Sequence, residues 1–128
     1  MFPPPIVSYL QTDGSFHMKT KQARAAFILK TPTYKYAKML ELQNVTDSTE
    51  TEWASIAYGI AYSFTQDQGV LAVENHNLEV VSAIITNKKV KQDYARHYQH
   101  EIYKMAQQSI WIGMRWIPRK YNKADILY

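Results

Sequence analysis

The chain contains no cysteine. Disulfides, thiolate metal ligands and cysteine nucleophiles are therefore excluded, and the composition fits a reducing compartment. No apolar run approaches the ~20 residues that a membrane-spanning helix needs. The opening Met1-Phe2-Pro3-Pro4-Pro5 has neither the basic region nor the apolar core of a secretory signal. Three successive prolines read instead as a stiff polyproline lead-in. There is no internal repeat and no further low-complexity segment. The expectation is an intracellular protein, cytoplasmic or virus-associated, with a lead-in over 1–5 and a single domain over 6–128.

A chain of 128 residues with 46% hydrophobic content can bury one real core. The formal net charge is +4 and the pI about 9.2. That balance favours a polyanionic partner such as nucleic acid.

Hydrophobic patterning gives the order of elements. Ile6 to Thr12 is β-branched and apolar with polar residues interleaved, which predicts a strand ended by a turn at Asp13-Gly14-Ser15. Ala25 to Leu29 predicts a second strand, broken by Thr31-Pro32-Thr33, and Tyr36 to Leu42 a third. Asp47, Ser48 or Thr49 can cap the next helix, which carries Trp53, Ile56, Ala57, Ile60, Ala61 and Phe64 at helical spacing. Val70 to Val73 is a continuous apolar run, as in a buried parallel strand. A short helix over Leu78 to Ile85 is expected to turn Leu78, Val81, Ile84 and Ile85 inward. A longer helix follows over Asp93 to Gln108, with Tyr94, His97, Tyr98, Ile102, Met105 and Ala106 on its packing face. A last strand spans Ile110 to Ile117, and Ala124 to Tyr128 starts a final helical turn. The order β-β-β-α-β-α-α-β-α implies a mixed sheet: three antiparallel strands, then crossovers, with helices on its faces.

Three carboxylates stand out within this order. Asp13 ends the first strand, Glu52 opens the first long helix, and Asp125 follows the last strand. Hard divalent cations prefer carboxylate oxygens, and phosphodiester hydrolysis commonly uses a pair of them, so the set points to magnesium chemistry.

Three motifs resemble the ribonuclease H fold, specifically type 1 ribonuclease H and the ribonuclease H domains of reverse transcriptases. They are the strand ending in Asp13-Gly14-Ser15; Glu52 followed by Trp53, Ser55, Ile56, Ala57 and Gly59; and Trp116-Ile117-Pro118-Arg119 followed by Asn122, Ala124-Asp125 and Leu127. The resemblance covers nearly the whole chain from Ile6. It implies a five-stranded mixed sheet and hydrolysis of the RNA strand of an RNA–DNA hybrid, leaving a 5′-phosphate and a 3′-hydroxyl. It implies magnesium, with manganese as substitute, and a monomer by default.

In that family four acidic residues hold two ions. Asp13, Glu52 and Asp125 match three of them. The fourth belongs to an Asp-Ser pair ending the fourth strand, where this chain has Glu74-Asn75-His76-Asn77. Glu74 is the preferred substitute because it directly follows the apolar run, with Asn75 as rival and His76 read as a polar loop residue. About two residues inserted after Glu74 would improve the fit of the following helix. The resemblance sets Gly14, Ser15, Ser48, Thr49 and Asn122 against substrate, where a hydroxyl can read the RNA 2′-OH. Lys88, Lys89, Lys91, Arg115, Arg119, Lys120 and Lys123 are available for phosphates.

The missing fourth aspartate motivates a second reading, a weak or inactive ribonuclease H-fold module that binds nucleic acid or protein. A third, a junction resolvase or integrase-like enzyme, is opposed by the Asn122-x-Ala124-Asp125-x-Leu127 pattern.

Overall fold

A computed structural model describes residues 7–127; the lead-in 1–5, Ile6 and Tyr128 lie outside the described residues. Five strands form one mixed sheet in the order β3-β2-β1-β4-β5. They are β1 (Ser8–Phe16), β2 (Ala23–Lys30), β3 (Lys35–Leu42), β4 (Val70–Asn75) and β5 (Trp111–Trp116). β1–β2 and β2–β3 pair antiparallel, whereas β1–β4 and β4–β5 pair parallel. The helices are α1 (Ser48–Thr65), α2 (Leu78–Thr86) and α3 (Asp93–Gln108). Two 3₁₀ turns, Arg119–Tyr121 and Lys123–Leu127, follow β5.

β2 is buried along most of its length, which suits the apolar run Ala-Ala-Phe-Ile-Leu. β3 is an edge strand with Tyr36, Leu40 and Leu42 half-buried on one face; its exposed residues include Lys38 on that same face and Glu41 on the other. Charge on an edge discourages pairing with another chain. α1 lies across β1 and β2, and α3 packs on α1. Leu10, Phe27, Leu29, Trp53, Ile56, Ile60, Leu71, Val73, Val80 and Ile102 close the core between them. Burying a side chain of this size stabilises by roughly 1.5–3 kcal/mol.

Three expectations change. Asp13-Gly14-Ser15 is not a turn: these residues pair with Ala26, Ala25 and Arg24 in the β1–β2 ladder. The turn comes later, over residues 17–22, where His17 N–H donates to the Gln22 carbonyl at 2.8 Å. Without a glycine there, Lys21 adopts the left-handed conformation, φ 59°. In α2, Val80, Val81, Ala83 and Ile84 are buried, but Leu78 and Ile85 are 63% and 60% exposed. The helix meets its neighbours on a narrower stripe than the run of apolar residues suggests. In α3, His97 faces solvent and Ala95 takes an inward position.

Gly14 has a packing role. A Cβ built on it would stand 2.3 Å from Thr51 Oγ1, 2.4 Å from the Thr51 carbonyl carbon and 2.6 Å from Glu52 N. Only glycine lets β1 approach the first turn of α1 this closely. Asp47 caps that turn, its Oδ1 accepting from Glu50 N–H at 2.9 Å, and also receives the Tyr94 hydroxyl of α3 at 3.1 Å. Gly14→Ala is expected to push α1 from β1 and cost about 1–3 kcal/mol, read as a lowered urea midpoint.

Candidate active site

Parallel register fixes the site. Gln11 stands opposite Glu74 in the β1–β4 pair. Continued, that register sets Thr12 beside Asn75 and Asp13 beside His76. Thr12 and Asn75 are fully buried, and Asn75 Nδ2 donates to the Thr12 carbonyl and to Thr12 Oγ1, both at 2.9 Å. Asn75 Oδ1 accepts from Asn77 N–H at 2.7 Å, and Asn77 in turn caps α2 through Val80 N–H at 3.1 Å. From the other side, Asn122 Nδ2 donates to the same Thr12 carbonyl at 2.8 Å, and its Oδ1 accepts from Ala124 N–H at 3.1 Å. One buried carbonyl thus gathers β1, the end of β4 and the segment after β5. Asp13, His76 and Asp125 are carried in on those three segments.

Glu52 arrives from α1. Its Oε1 accepts from Gly14 N–H at 2.6 Å. His76 Nε2 lies 3.5 Å from Asp13 Oδ1 and 3.7 Å from Glu52 Oε2. One ligand atom from each of Asp13, Glu52 and His76 falls within 4.8 Å of the others, as a single cation would require. Asp125 hydrogen-bonds the Asp13 carboxyl, and its charge acts on both Asp13 and Glu52. Arg119 Nη2 stands 3.3 Å from His76 Nε2.

Crowding shows in the titration of the group. Burial, then the charge of Glu52 and the hydrogen bond and charge of Asp125, push Asp13 up to about 8 despite nearby Arg119. Burial pushes Glu52 up to about 7, opposed by the Gly14 N–H, the Asn75 side chain and Arg119. Burial first, and then Arg119, hold His76 below its ordinary value.

Glu74 does not join this group. It lies two residues before His76, about 6.6 Å back along the strand. Its Oε1 accepts from Gln11 Nε2 at 3.0 Å and its Oε2 from Arg115. Gln11, Glu74 and Arg115 are register neighbours across β1, β4 and β5. This carboxylate has a cation of its own, on the row behind the site. The physical reason is strand length: β4 runs through Asn75, so its first position past the ladder is His76. Asn75, the rival, is spent on Thr12 and Asn77.

The residues expected against substrate divide. Ser48 and Thr49 open α1 while Asp47 does the capping. Ser15 is half-buried on β1, and Gly14 is held against Thr51. Asn122 is 2% exposed, and its amide serves Thr12, His76 and Ala124. His76, expected as a polar loop residue, stands within the group, and Arg119, expected to hold phosphate, stands beside its ring. The signal for His76 was Asn77, a capping residue directly before Leu78: counting back from the cap leaves His76 as the link between strand and helix.

A family model described as reverse transcriptase-like matches residues 11–127. The chain belongs to this family, of ribonuclease H fold. No curated protein sequence matches it. Among solved structures it is similar to the N-terminal RNase H domain of a Mycobacterium tuberculosis protein, with 18% identity and a TM-score of 0.80 over 95% of this chain and 90% of that one. RNase H1 from the halophilic archaeon Halobacterium salinarum gives 11% identity and a TM-score of 0.79 over 95% and 92%. LC11 RNase H1, solved in complex with an RNA/DNA hybrid, gives 16% and 0.75 over 95% and 92%. The five-stranded mixed sheet with helices is theirs in common. Among the described residues, no helix is long and apolar enough to cross a membrane.

Asp13 and Glu52 stand above their ordinary 3.8 and 4.5 in the folded chain, so folding favours their protonated forms. Without metal, stability is greatest below about pH 4 for these two groups and falls as pH rises toward 8. Asp13→Asn is expected to raise metal-free stability at pH 8 by about 1–3 kcal/mol and to change little at pH 4. Urea titrations in EDTA at the two pH values check this.

Proposed function

We propose that the chain is a divalent-cation-dependent nuclease that hydrolyses the RNA strand of RNA–DNA hybrids. The observation that carries this is the meeting of Asp13, Glu52 and Asp125 at one end of the sheet, with two of them raised by burial and mutual charge. An arrangement so costly in the free chain is relieved by a doubly charged ion. The oxygen donors suit magnesium or manganese, and Asp13, Glu52 and Asp125 would hold the ion. When bound, it supplies an activated water and charge stabilisation at the leaving oxygen.

The chain's own groups do the rest. The Gly14 N–H fixes one oxygen of Glu52 and leaves the other toward Asp13 and His76. Asn75 and Asn122 hold the strand ends that carry His76 and Asp125. Exposed Arg119 brings a positive charge to the rim, where a phosphate would meet it. The hybrid as substrate is supported by family membership and by the similarity to LC11 RNase H1, which was solved with an RNA/DNA hybrid. Ser15, Ser48 and Thr49, on β1 and the first turn of α1, are the hydroxyls offered to the RNA strand.

A specific observation favours a second reading, a hybrid-binding module with little activity: the fourth carboxylate is absent from the group, and Glu74 is committed to Arg115. Cleavage of an end-labelled hybrid with magnesium decides between them. Wild type is expected to release products with 5′-phosphates, and Asp13→Asn to lose at least about 100-fold in rate, roughly 3 kcal/mol, while still binding the hybrid. Binding without cleavage by wild type supports the second reading.

A further inference from the structure

The place of the fourth carboxylate is taken by His76, and its hydrogen bonds define what that ring can do. Asn122 Nδ2 lies 2.9 Å from His76 Nδ1. The orientation of the Asn122 amide is fixed independently: Nδ2 also donates to the Thr12 carbonyl, and Oδ1 accepts from Ala124 N–H. Flipping the amide would set oxygen against oxygen and N–H against N–H at both backbone partners. Nδ2 is therefore a donor toward His76, and Nδ1 must accept. A neutral imidazole with an accepting Nδ1 carries its proton on Nε2.

Nε2 is the atom that faces Asp13 Oδ1 at 3.5 Å and Glu52 Oε2 at 3.7 Å. In this tautomer it has no lone pair for a metal. It presents an N–H to the carboxylates. For Nε2 to coordinate, the proton would have to move to Nδ1 and confront the Asn122 amide donor in a buried setting. Arg119 Nη2, 3.3 Å from Nε2, then faces another donor, and its charge is left to act on Asp13 and Glu52. Glu74 cannot supply the missing oxygen while it holds Arg115 and Gln11.

We propose that this site takes one divalent cation, held by Asp13, Glu52 and Asp125, and that His76 occupies the place of a second as a hydrogen-bond donor. The pair of ions implied by the family's four carboxylates is not accommodated by these residues. Three carboxylates balance one doubly charged ion, with the remaining negative charge facing Arg119. The Nε2–H faces the two carboxylates, and the exposed Arg119 guanidinium beside it carries the positive charge at the rim. His76 is thus a positioning residue for Asp13 and Glu52. This rests on the reading of the site as a cation-dependent nuclease and specifies its ion count.

The test counts ions directly on the whole chain. Manganese titration followed by electron paramagnetic resonance is expected to show one bound ion per chain, and His76→Asp two. Nitrogen-15 spectra of the imidazoles should show His76 protonated at Nε2, before and after magnesium. Two ions on wild type, loss of the Nε2 proton on adding magnesium, or a folded His76→Asp variant that stays at one ion overturns the inference and leaves the nuclease reading intact. No ion at saturating manganese overturns both, whereas one ion without cleavage of the hybrid overturns the nuclease reading alone.

Discussion

A single buried acceptor, the carbonyl oxygen of Thr12, holds the site together. Two side-chain amides converge on it, Asn75 from the end of β4 and Asn122 from beyond β5. Neither has an exposed alternative, since both are buried to within 2%. Breaking either bond would leave polar groups unsatisfied where water does not compete, at a cost of about 1–3 kcal/mol. Three segments spread over 110 residues of chain are thereby set in one register. Their next residues, Asp13, His76 and the turn bearing Asp125, are delivered together.

Around this anchor the structure accepts electrostatic strain. Glu52 is pressed toward Asp13 because Gly14 allows α1 to lie against β1, and the same glycine's N–H holds one Glu52 oxygen. That N–H, Asn75 and Arg119 all lower the Glu52 carboxyl, but burial prevails and leaves it near neutral pH. Asp13, lowered by Arg119 but crowded by burial, Glu52 and Asp125, stands higher still. Asparagine at position 13 would spare the fold one of these buried charges. The retention of two poorly solvated carboxylates beside a third is what cation chemistry requires.

Most of the scaffold was legible in the residues. Periodicity separates the strands from the helices, and the continuous apolar run of β4 announces a parallel strand, although Leu71 and Val73 are buried while Val70 and Ala72 on the other face are only half-buried. Asp13, Glu52 and Asp125 could be named because each closes a recognisable local pattern. What the sequence hid was the end of β4. Glu74 looks like a strand-end carboxylate because hydrophobicity stops at Val73, yet the ladder continues two residues on polar side chains satisfied within the protein. A period-2 element read two residues short assigns the right face and the wrong row. The turn expected at Asp13-Gly14 failed for a related reason: glycine served close approach between layers, which no local pattern encodes.

The double use of Asp47 ties two packed helices together at their N-terminal ends. One carboxylate both terminates α1 and grips the Tyr94 hydroxyl at the start of α3. The turn that presents Glu52 is therefore braced by a helix that supplies none of the grouped side chains Asp13, Glu52 and His76. Any partner or neighbouring domain that levers α3 away would slacken that brace. Through it, the placing of Glu52 would respond to events on the outer helix.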